Sequence, residues 1–594
     1  MHTAAGIART SAELRAILSQ AQPARPLVSA IADLAGLADG RGSGVSLQVL
    51  RAARAHLAAL GNIPQTTYTL YREFQRNGER RGYETPYFAK RDNLGAAALS
   101  VLLGDRSSLD HVHDYLNDIC EETTWVIPAC EPQTLDLFNA GTAFLLAETL
   151  AVLDGVLADE VKRRVTDEIE RRVMTVYLEG HEGFWWYKGA NNWNGVCNGA
   201  VGATFLLLEQ DIQRLAEALE YVLAGLEVFF STAFEVEGSS TEGAAYWQYG
   251  LSNVIPFAEM LRHRTAGAID ILGTPRLRQI ARYPLHVMLS PGRYASYSDC
   301  DEQVSIAPGL VARLAERTGV AELLDLLAEP APLALSPGHT TPPWRHIAWW
   351  DGKRPERVQL GDEWLQDAGV VRLVGATPSP APVVLVAKAG HNAENHNHND
   401  VGTFILHIDG ETFLTDPGRG LYSRSYFSPA RYENPFCSSF GHSLPVIGGQ
   451  LQAAGAAYRG EIVACDLAGP SKRLVMSIGG AYPVPELRSL TRTLTLGPDG
   501  QFDCEDRPDL QSPLEVEEAF VTWLEVTVSG AIAKLTGQRH VVELSIAEPA
   551  GARFHLEVLE EASRANAKPA LLKRLSFRVP AGSPSARVQA RLIA

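Results

Sequence analysis

Apolar residues over the first 335 positions recur at the three- and four-residue spacing of helices. Residues 135–153 form a long apolar, alanine-bearing run with that period. Residues 159–179 carry charges on one side and Val, Ile, Met and Leu on the other. Residues 199–208 and 212–230 continue the pattern, with short Gly- and Asn-bearing connections between them. Helices of this length joined by short loops predict a ring or arc of antiparallel helical hairpins. The repeat is one of structure rather than of sequence.

The period changes after a Pro-rich stretch at 329–344, which reads as a linker. Beyond it, residues 370–374, 383–387, 488–496, 519–528 and 541–546 are short β-rich runs separated by Gly, Pro, Asp and Asn. Strands at this spacing predict an antiparallel β-sandwich, with the tail from 575 to 594 adding an edge strand. One hairpin is legible in detail: 403–408 and 411–416 flank Asp409-Gly410, a strong two-residue turn signal. A chain of 594 residues is too long for one core. The expected class is α+β multidomain, with 1–335 helical and 336–594 an antiparallel β-sandwich.

Composition narrows the function. Hydrophobic residues make up 46% and charged residues 21%, the balance of an ordinary globular protein. The formal net charge is −16 and no basic face or tail is visible, which argues against nucleic acid as a partner. An anionic ligand would need a locally positive cleft on this acidic protein. The seven cysteines are scattered, with neither a disulfide framework nor a CxxC metal spacing. The first thirty residues hold Arg9, Arg15 and Arg25 but no apolar core of a secretory signal, and no apolar run is long enough to span a membrane. A soluble, cytoplasmic protein is expected, with the periplasm as the alternative. Oligomeric state has no signature.

The densest chemistry lies just before the hairpin, in Asn395-His396-Asn397-His398-Asn399-Asp400. In an extended segment, residues two apart share a face. His396 and His398 would then project together, as metal ligands on a strand do. In the helical half, Asn191, Asn192, Asn194 and Asn198 surround Trp193 immediately before a predicted helix. Asn caps helices well, but four around an aromatic suit a surface that binds hydroxyls and carboxylates. Farther on, Tyr246 and Tyr249 are three apart and share a helix face after a Gly- and Ser-bearing loop with Glu242. Such a loop could present a tyrosine hydroxyl as base or acid. Past the hairpin, Arg419, Arg424 and Arg431 lie among Tyr422, Tyr426 and Tyr432, an Arg-dense stretch suited to carboxylate or sulfate.

Together these segments resemble the heparinase II/III type of polysaccharide lyase. The resemblance rests on His-Asn-His-Asn-Asp-x-Gly-x-Phe at 396–404, Asp416, and Ser-x-x-His-Ser at 439–443. Asn-Asn-Trp-Asn-x-Val-Cys-Asn-Gly at 191–199 and Glu-Gly-x-x-Tyr-Trp-x-Tyr-Gly at 242–250 follow the family's helical motifs in the same order. It implies an (α/α) toroid followed by an antiparallel β-sandwich, and β-elimination at a uronic acid. In that chemistry the C5 proton is removed, the C4–O bond breaks and a 4,5-unsaturated uronate remains. The substrate carboxylate must be neutralised so that the developing enediolate is stabilised.

The resemblance implies that Asn191 or Asn192 and His396 neutralise the carboxylate. Tyr246 would be base, acid or both, and Tyr426 the second domain's active-site tyrosine. Trp193, Glu242, Tyr249, Arg419, Arg424 and Arg431 would bind substrate. His398, Asp416 and His442 would hold Zn²⁺ in a structural role, with Mn²⁺ as the other candidate. The partner implied is an anionic uronate-containing glycan or oligosaccharide. Hyaluronan, chondroitin and heparan types come first and alginate-type uronides second. Many relatives have His beside the active-site Asn, where this chain has Trp193, which shifts weight to His396 and Tyr426. Counting from the Asp409-Gly410 turn puts Asp416 opposite Thr403. A shared metal with His398 therefore needs a sharp bend at Gly402, or else His398 only hydrogen-bonds. Two other classes remain: a glycan-binding module or inactive homologue, and a toroid hydrolase using Glu237 and Glu242.

Overall fold

The computed structural model describes residues 4–20, 44–329, 344–377 and 381–593. Most of the Pro-rich stretch read as a linker, 330–343, lies outside the described residues. The chain divides into two compact units. The first comprises Met1–Ser240, Tyr246–Arg282 and Ser305–Arg357. The second comprises Val358–Ala594 and two excursions from the N-terminal half, Thr241–Ala245 and Tyr283–Val304.

The first unit is an (α/α) toroid. Around its ring, Gly44–Ala58 packs on Arg81–Leu102, then come Leu137–Val152, Asn192–Leu208 and Val254–Arg264. Pro308–Thr318 follows, tied to its neighbour by Arg317 and Glu259 at 2.8 Å. Trp344–Trp349 packs on both Pro308–Thr318 and Gly44–Ala58 and closes the ring. Local chemistry fixes where one of these helices starts. Asp136 caps Leu137–Val152 by accepting from the backbone N–H groups of Phe138 and Asn139. Gly195 and Gly199, one turn apart, let Asn192–Leu208 meet the following helices backbone to backbone. A Cβ on either would lie 2.7 Å from the Gly250 oxygen or the Asn253 carbonyl carbon.

The second unit is an antiparallel β-sandwich. Among the described residues its main sheet has nine strands. Their order is Glu525–Ser529, Ile532–Thr536, Val541–Glu548, Ala586–Ile593, Phe502–Leu510, Leu487–Leu496, Lys472–Ser477, Gly455–Asp466 and Gly390–Asn392. A five-stranded sheet runs Glu363–Leu365, Val370–Ala376, Pro382–Lys388, Phe404–Ile408, Glu411–Leu414, and a four-stranded sheet runs His555–Val558, Lys573–Val579, Val516–Thr522, Val446–Ile447. One apolar core takes Leu385 and Leu406, Leu494 and Leu544, Phe520 and Phe577 from the three sheets. Leu490, Leu494 and Leu496 point into it with the period of two that an amphipathic strand requires.

Several expectations need correction. The run 519–528 is two strands, Val516–Thr522 and Glu525–Ser529, in different sheets. β-propensity reports a strand but not the sheet it joins. The tail supplies no edge: Ala586–Ile593 lies between Phe502–Leu510 and Val541–Glu548. The region expected to be wholly helical contains a hairpin, Met288–Ser290 with Arg293–Tyr294, turned at Pro291-Gly292 where Gly292 has φ 74°. Asp409 and Gly410, at φ 49° and 83°, form the expected hairpin turn. A bulge beside Leu406 puts that residue opposite Leu414, so the simple count that set Asp416 against Thr403 is one residue off.

Candidate active site

Residues 393–403 do not form a strand; they are a turn-rich loop leading into Phe404–Ile408. His396 has φ 57°, a left-handed conformation that costs a non-glycine residue about 1–3 kcal/mol. Arg431 holds that backbone in place. Its Nη2 donates to the His396 carbonyl at 2.9 Å and its Nε to the Asn397 carbonyl at 2.8 Å. The remaining polar residues of the loop are scaffold. The Asn397 amide donates to Asn399 Oδ1 and to the Tyr432 hydroxyl, and Lys388 Nζ lies 2.7 Å from the buried Asp400 carboxylate.

The two imidazoles still reach a common point, by a turn rather than a pleat. That point is Asp299, in the Tyr283–Val304 excursion and 1% exposed. Its Oδ2 faces His396 Nδ1 at 2.7 Å and accepts from the Tyr422 hydroxyl at 3.1 Å. Its Oδ1 faces His398 Nε2 at 3.1 Å and accepts from the Tyr426 hydroxyl at 2.5 Å and Arg431 Nη2 at 2.7 Å. Burial alone would raise the Asp299 pKa. The His396 and His398 bonds outweigh it and hold the carboxyl well below the usual range. Burial, and next the Asp299 charge, push the Tyr426 hydroxyl far above its ordinary value.

His396 is the partly exposed member of the histidine pair. Its Nε2 lies 3.4 Å from Glu242 Oε1, and Glu242 is itself 3% exposed. The imidazole is therefore flanked by two buried carboxylates. Arg431 stacks 4.3 Å from the Tyr426 ring and spends its guanidinium on Asp299 and on carbonyls. Arg419 is exposed and pairs with Asp301 at 2.8 Å, and Arg424 is exposed.

Among the described residues, no group of three or more His, Cys, Asp or Glu side chains is arranged to hold a metal ion. Asp416 and His442 pair directly, Oδ2 to Nδ1 at 2.9 Å, and the His398 and His442 rings meet edge to face at 5.5 Å. The donor chemistry nevertheless suits a cation. His442 Nε2 faces the Phe436 carbonyl at 3.1 Å, so both its nitrogens face acceptors. That arrangement is satisfied by a proton on each nitrogen or by a cation in place of the Nδ1 proton. His398 Nε2 is taken by Asp299, while its buried Nδ1 meets no nitrogen or oxygen, and the Cys437 thiol also interacts with the ring. An imidazole anchored through one nitrogen, with a soft sulfur beside it, is a setting in which metal ligands are found.

In the first unit, the Asn-rich motif does not precede its helix but forms the helix's first turns. Asn191 is the cap, its side chain accepting from the Trp193 N–H at 3.1 Å, and the helix begins at Asn192. Asn194 and Asn198 are fully buried. Asn198 bonds to Asn194 at 2.8 Å and accepts from the Tyr177 hydroxyl at 2.6 Å. They brace the helix and do not reach a surface. Asn192 is 2% exposed and borders Gly250, on the helix Gly243–Ser252 that carries Tyr246 and Tyr249. Tyr246 is half-buried, and burial drives the Tyr249 hydroxyl well above its ordinary pKa. Trp193 is half-buried against Trp185, ring centroids 5.0 Å apart.

Two residues of this arrangement escaped sequence reasoning. Asp299 sits in Ser298-Asp299-Cys300-Asp301-Glu302, where nothing separates one acid from the next. Tyr422 lay inside the Arg/Tyr stretch, but spacing gave no reason to prefer it to Tyr426.

No protein-family model matches the chain, and no curated protein matches it. Solved structures do. A crystal structure of heparinase III superposes with TM-score 0.63 at 13% identity, covering 88% of this chain and 78% of that one. The fold is that of the glycosaminoglycan lyases. A mutant of heparan sulfate lyase from Pedobacter heparinus matches with TM-score 0.57 at 12% identity, covering 95% and 87%. Chondroitin AC lyase of Streptomyces coelicolor A3, also a mutant, matches with TM-score 0.52 at 12% identity, covering 96% and 82%. The toroid followed by a β-sandwich is common to this chain and those structures. Among its described residues, no helix is long and apolar enough to cross a membrane.

Proposed function

We propose that the chain is a polysaccharide lyase that cleaves a uronate-containing glycosaminoglycan by β-elimination, leaving a 4,5-unsaturated uronate. The observation that carries this reading is the setting of His396. Its imidazole is partly exposed, with a buried carboxylate facing each nitrogen, in a chain that has the fold of glycosaminoglycan lyases. The C5–H of a uronate is a very weak acid, so catalysis must come from neutralising the adjacent carboxylate as negative charge moves onto it. In this proposal His396 and the amide of Asn191 or Asn192 meet the carboxylate. The partly exposed Tyr246 moves the proton, a role worth about 10²–10⁴-fold. Trp193 offers an apolar face to a sugar ring, and Arg419 and Arg424 offer exposed positive charge. Glu242 acts through His396.

His398, Asp416 and His442 would hold a Zn²⁺ ion, with Mn²⁺ as the alternative. Bound there, it would supply rigidity to the loop that carries His396. Heparan and chondroitin types, which the names of the similar structures carry, are with hyaluronan the first substrates to test, and alginate-type uronides the second.

The test is ultraviolet absorbance of unsaturated uronate on hyaluronan, chondroitin sulfate, heparan sulfate and alginate. A rise on any of them is expected, with Tyr246→Phe and His396→Ala each folded but inactive. Full activity in either variant removes that residue's role. A flat trace with new reducing ends, abolished by Glu242→Gln, would point to a hydrolase instead. A flat trace without new ends, on polymers and short oligosaccharides alike, would leave a glycan-binding homologue.

A further inference from the structure

Two cations meet on one carboxylate beside the His396 site. Arg419 Nε lies 2.8 Å from Asp301 Oδ2, and Lys568 Nζ lies 3.6 Å from Asp301 Oδ1. Asp301 stands two residues after Asp299 in the same excursion. The Arg419 guanidinium lies 5.9 Å from the centre of the Tyr422 ring, whose hydroxyl shares Asp299 with His396. We propose that Arg419 and Lys568 form a seat for a sulfate group of the glycan, and that Asp301 is the internal counter-ion which that sulfate displaces. The proposal rests on the lyase reading and deepens it, by naming sulfated glycans as the class this seat selects.

The fold delivers these charges from three separate segments. The Asp301 and Arg419 side chains reach solvent, while that of Lys568 is 14% exposed. Lys568 follows the short helix Glu560–Ala565; Ala567 turns the chain with φ 52°, and the Lys568 N–H donates to the Ser563 carbonyl at 3.0 Å. Asn566 accepts from the Leu421 N–H at 2.9 Å and from the Asn434 amide at 2.8 Å, which fixes this turn to the Arg/Tyr stretch. The Lys568 ammonium lies 5.6 Å from the centre of the Phe436 ring. Burial pulls the Lys568 pKa down, the Asp301 charge opposes that, and the Arg419 charge adds to it. Two cations in each other's field, one of them largely desolvated, favour an anion between them.

A carboxylate and a sulfate ask the same thing of a guanidinium and an ammonium. An ion pair that water reaches is worth little, so an arriving sulfate exchanges one anion for another at small cost. The chain carries a formal net charge of −16, which repels a polyanion everywhere except at such local cations. An unsulfated glycan brings only its uronate carboxylate, which the proposed reaction gives to His396. Asp301 therefore sets how strongly the seat favours a sulfated chain.

The test is the ratio of Kd values for chemically desulfated chondroitin and for chondroitin sulfate, by calorimetry in the full-length His396→Ala background so that nothing is consumed. A ratio above one is expected. Asp301→Asn should raise it by up to about 5-fold, the size of an exposed charge pair. Arg419→Gln and Lys568→Gln should each lower it, and Arg419, being exposed, can be changed without threatening the fold. The gain from Asp301→Asn should shrink when Lys568→Gln is also present, because the residues share one seat. Asp509→Asn, which likewise neutralises a carboxylate paired with an arginine (Arg488, 3.2 Å), should leave the ratio alone. Equal affinity for the two chains would overturn the proposal. So would a ratio that Arg419→Gln and Lys568→Gln leave unmoved, or one that Asp509→Asn raises as much as Asp301→Asn. A parent inactive on every glycan would overturn the lyase reading alone, because binding tests the seat by itself.

Discussion

Five donors crowd the two oxygens of a carboxylate that water does not reach. Taking that charge out of water is expensive, and only charge-assisted bonds repay it. Deleting the carboxylate, as in Asp299→Ala, would strand Arg431 and cost on the order of 3–5 kcal/mol. The histidines of this cluster were legible in the sequence because His-x-His beside a hairpin is a rare juxtaposition. Asp299 was not, because its importance comes wholly from what arrives around it from positions near 396, 422 and 431. If His398, Asp416 and His442 hold Zn²⁺ as proposed, His398→Ala should lower both the thermal midpoint and the zinc content of the purified protein. Unchanged metal content on elemental analysis would remove His398 from the ligand set.

At the scale of elements, the site depends on how one loop joins one strand. Gly402 stands at that junction with φ 96°, and a Cβ there would lie 2.9 Å from two carbons of the Ile478 side chain. Its N–H donates to the Lys388 carbonyl at 2.8 Å. Its carbonyl accepts from Arg492 Nη1 at 2.9 Å, and the same nitrogen reaches the Ser443 carbonyl at 2.6 Å. One buried guanidinium on Leu487–Leu496 thus staples the His396 loop to the residue after His442. Gly402→Ala should cost about 1–3 kcal/mol from the backbone alone. It should lower activity along with the thermal midpoint; an unaltered midpoint would refute the strain. The bend at Gly402 was foreseeable from the need to bring His398 toward Asp416. The bulge beside Leu406 was not, since one extra residue in a ladder leaves no mark on an alternating pattern.

At the scale of the molecule, the second unit should be acid-labile in two steps. His407 is buried between Thr412 and Ser290 at 2.8 and 3.0 Å. Burial, with Arg293 next, depresses its pKa to about 3. A depressed folded-state pKa gives stability that is full above the unfolded value near 6.5 and is lost as pH falls toward 3. Each unit of the difference is worth about 1.4 kcal/mol. Asp299 and Asp416 also lie below their ordinary value, despite burial, because of their histidine partners. Their contribution is present above about pH 4 and is lost below it. Calorimetry from pH 7.5 to 3.5 should show the thermal midpoint falling first below about 6.5, with His407→Gln removing that first step. A midpoint flat from 7 to 5 in the parent would refute the His407 assignment.

The sequence by itself determined the class of architecture, because helical and strand periods are written in the order of apolar residues and change near a Pro-rich stretch. It also determined the hairpin turn, and it singled out the histidines at 396, 398 and 442 because imidazole is marked by residue type alone. Only the tertiary structure decided which strand neighbours which, since a strand's pattern records that one face is buried and not by what. Only the tertiary structure chose Asp299 among its acidic neighbours and set Arg431 against it. Asn194 and Asn198 turned inward for the same reason: an amide serves a ligand or a buried helix equally well until burial decides between them.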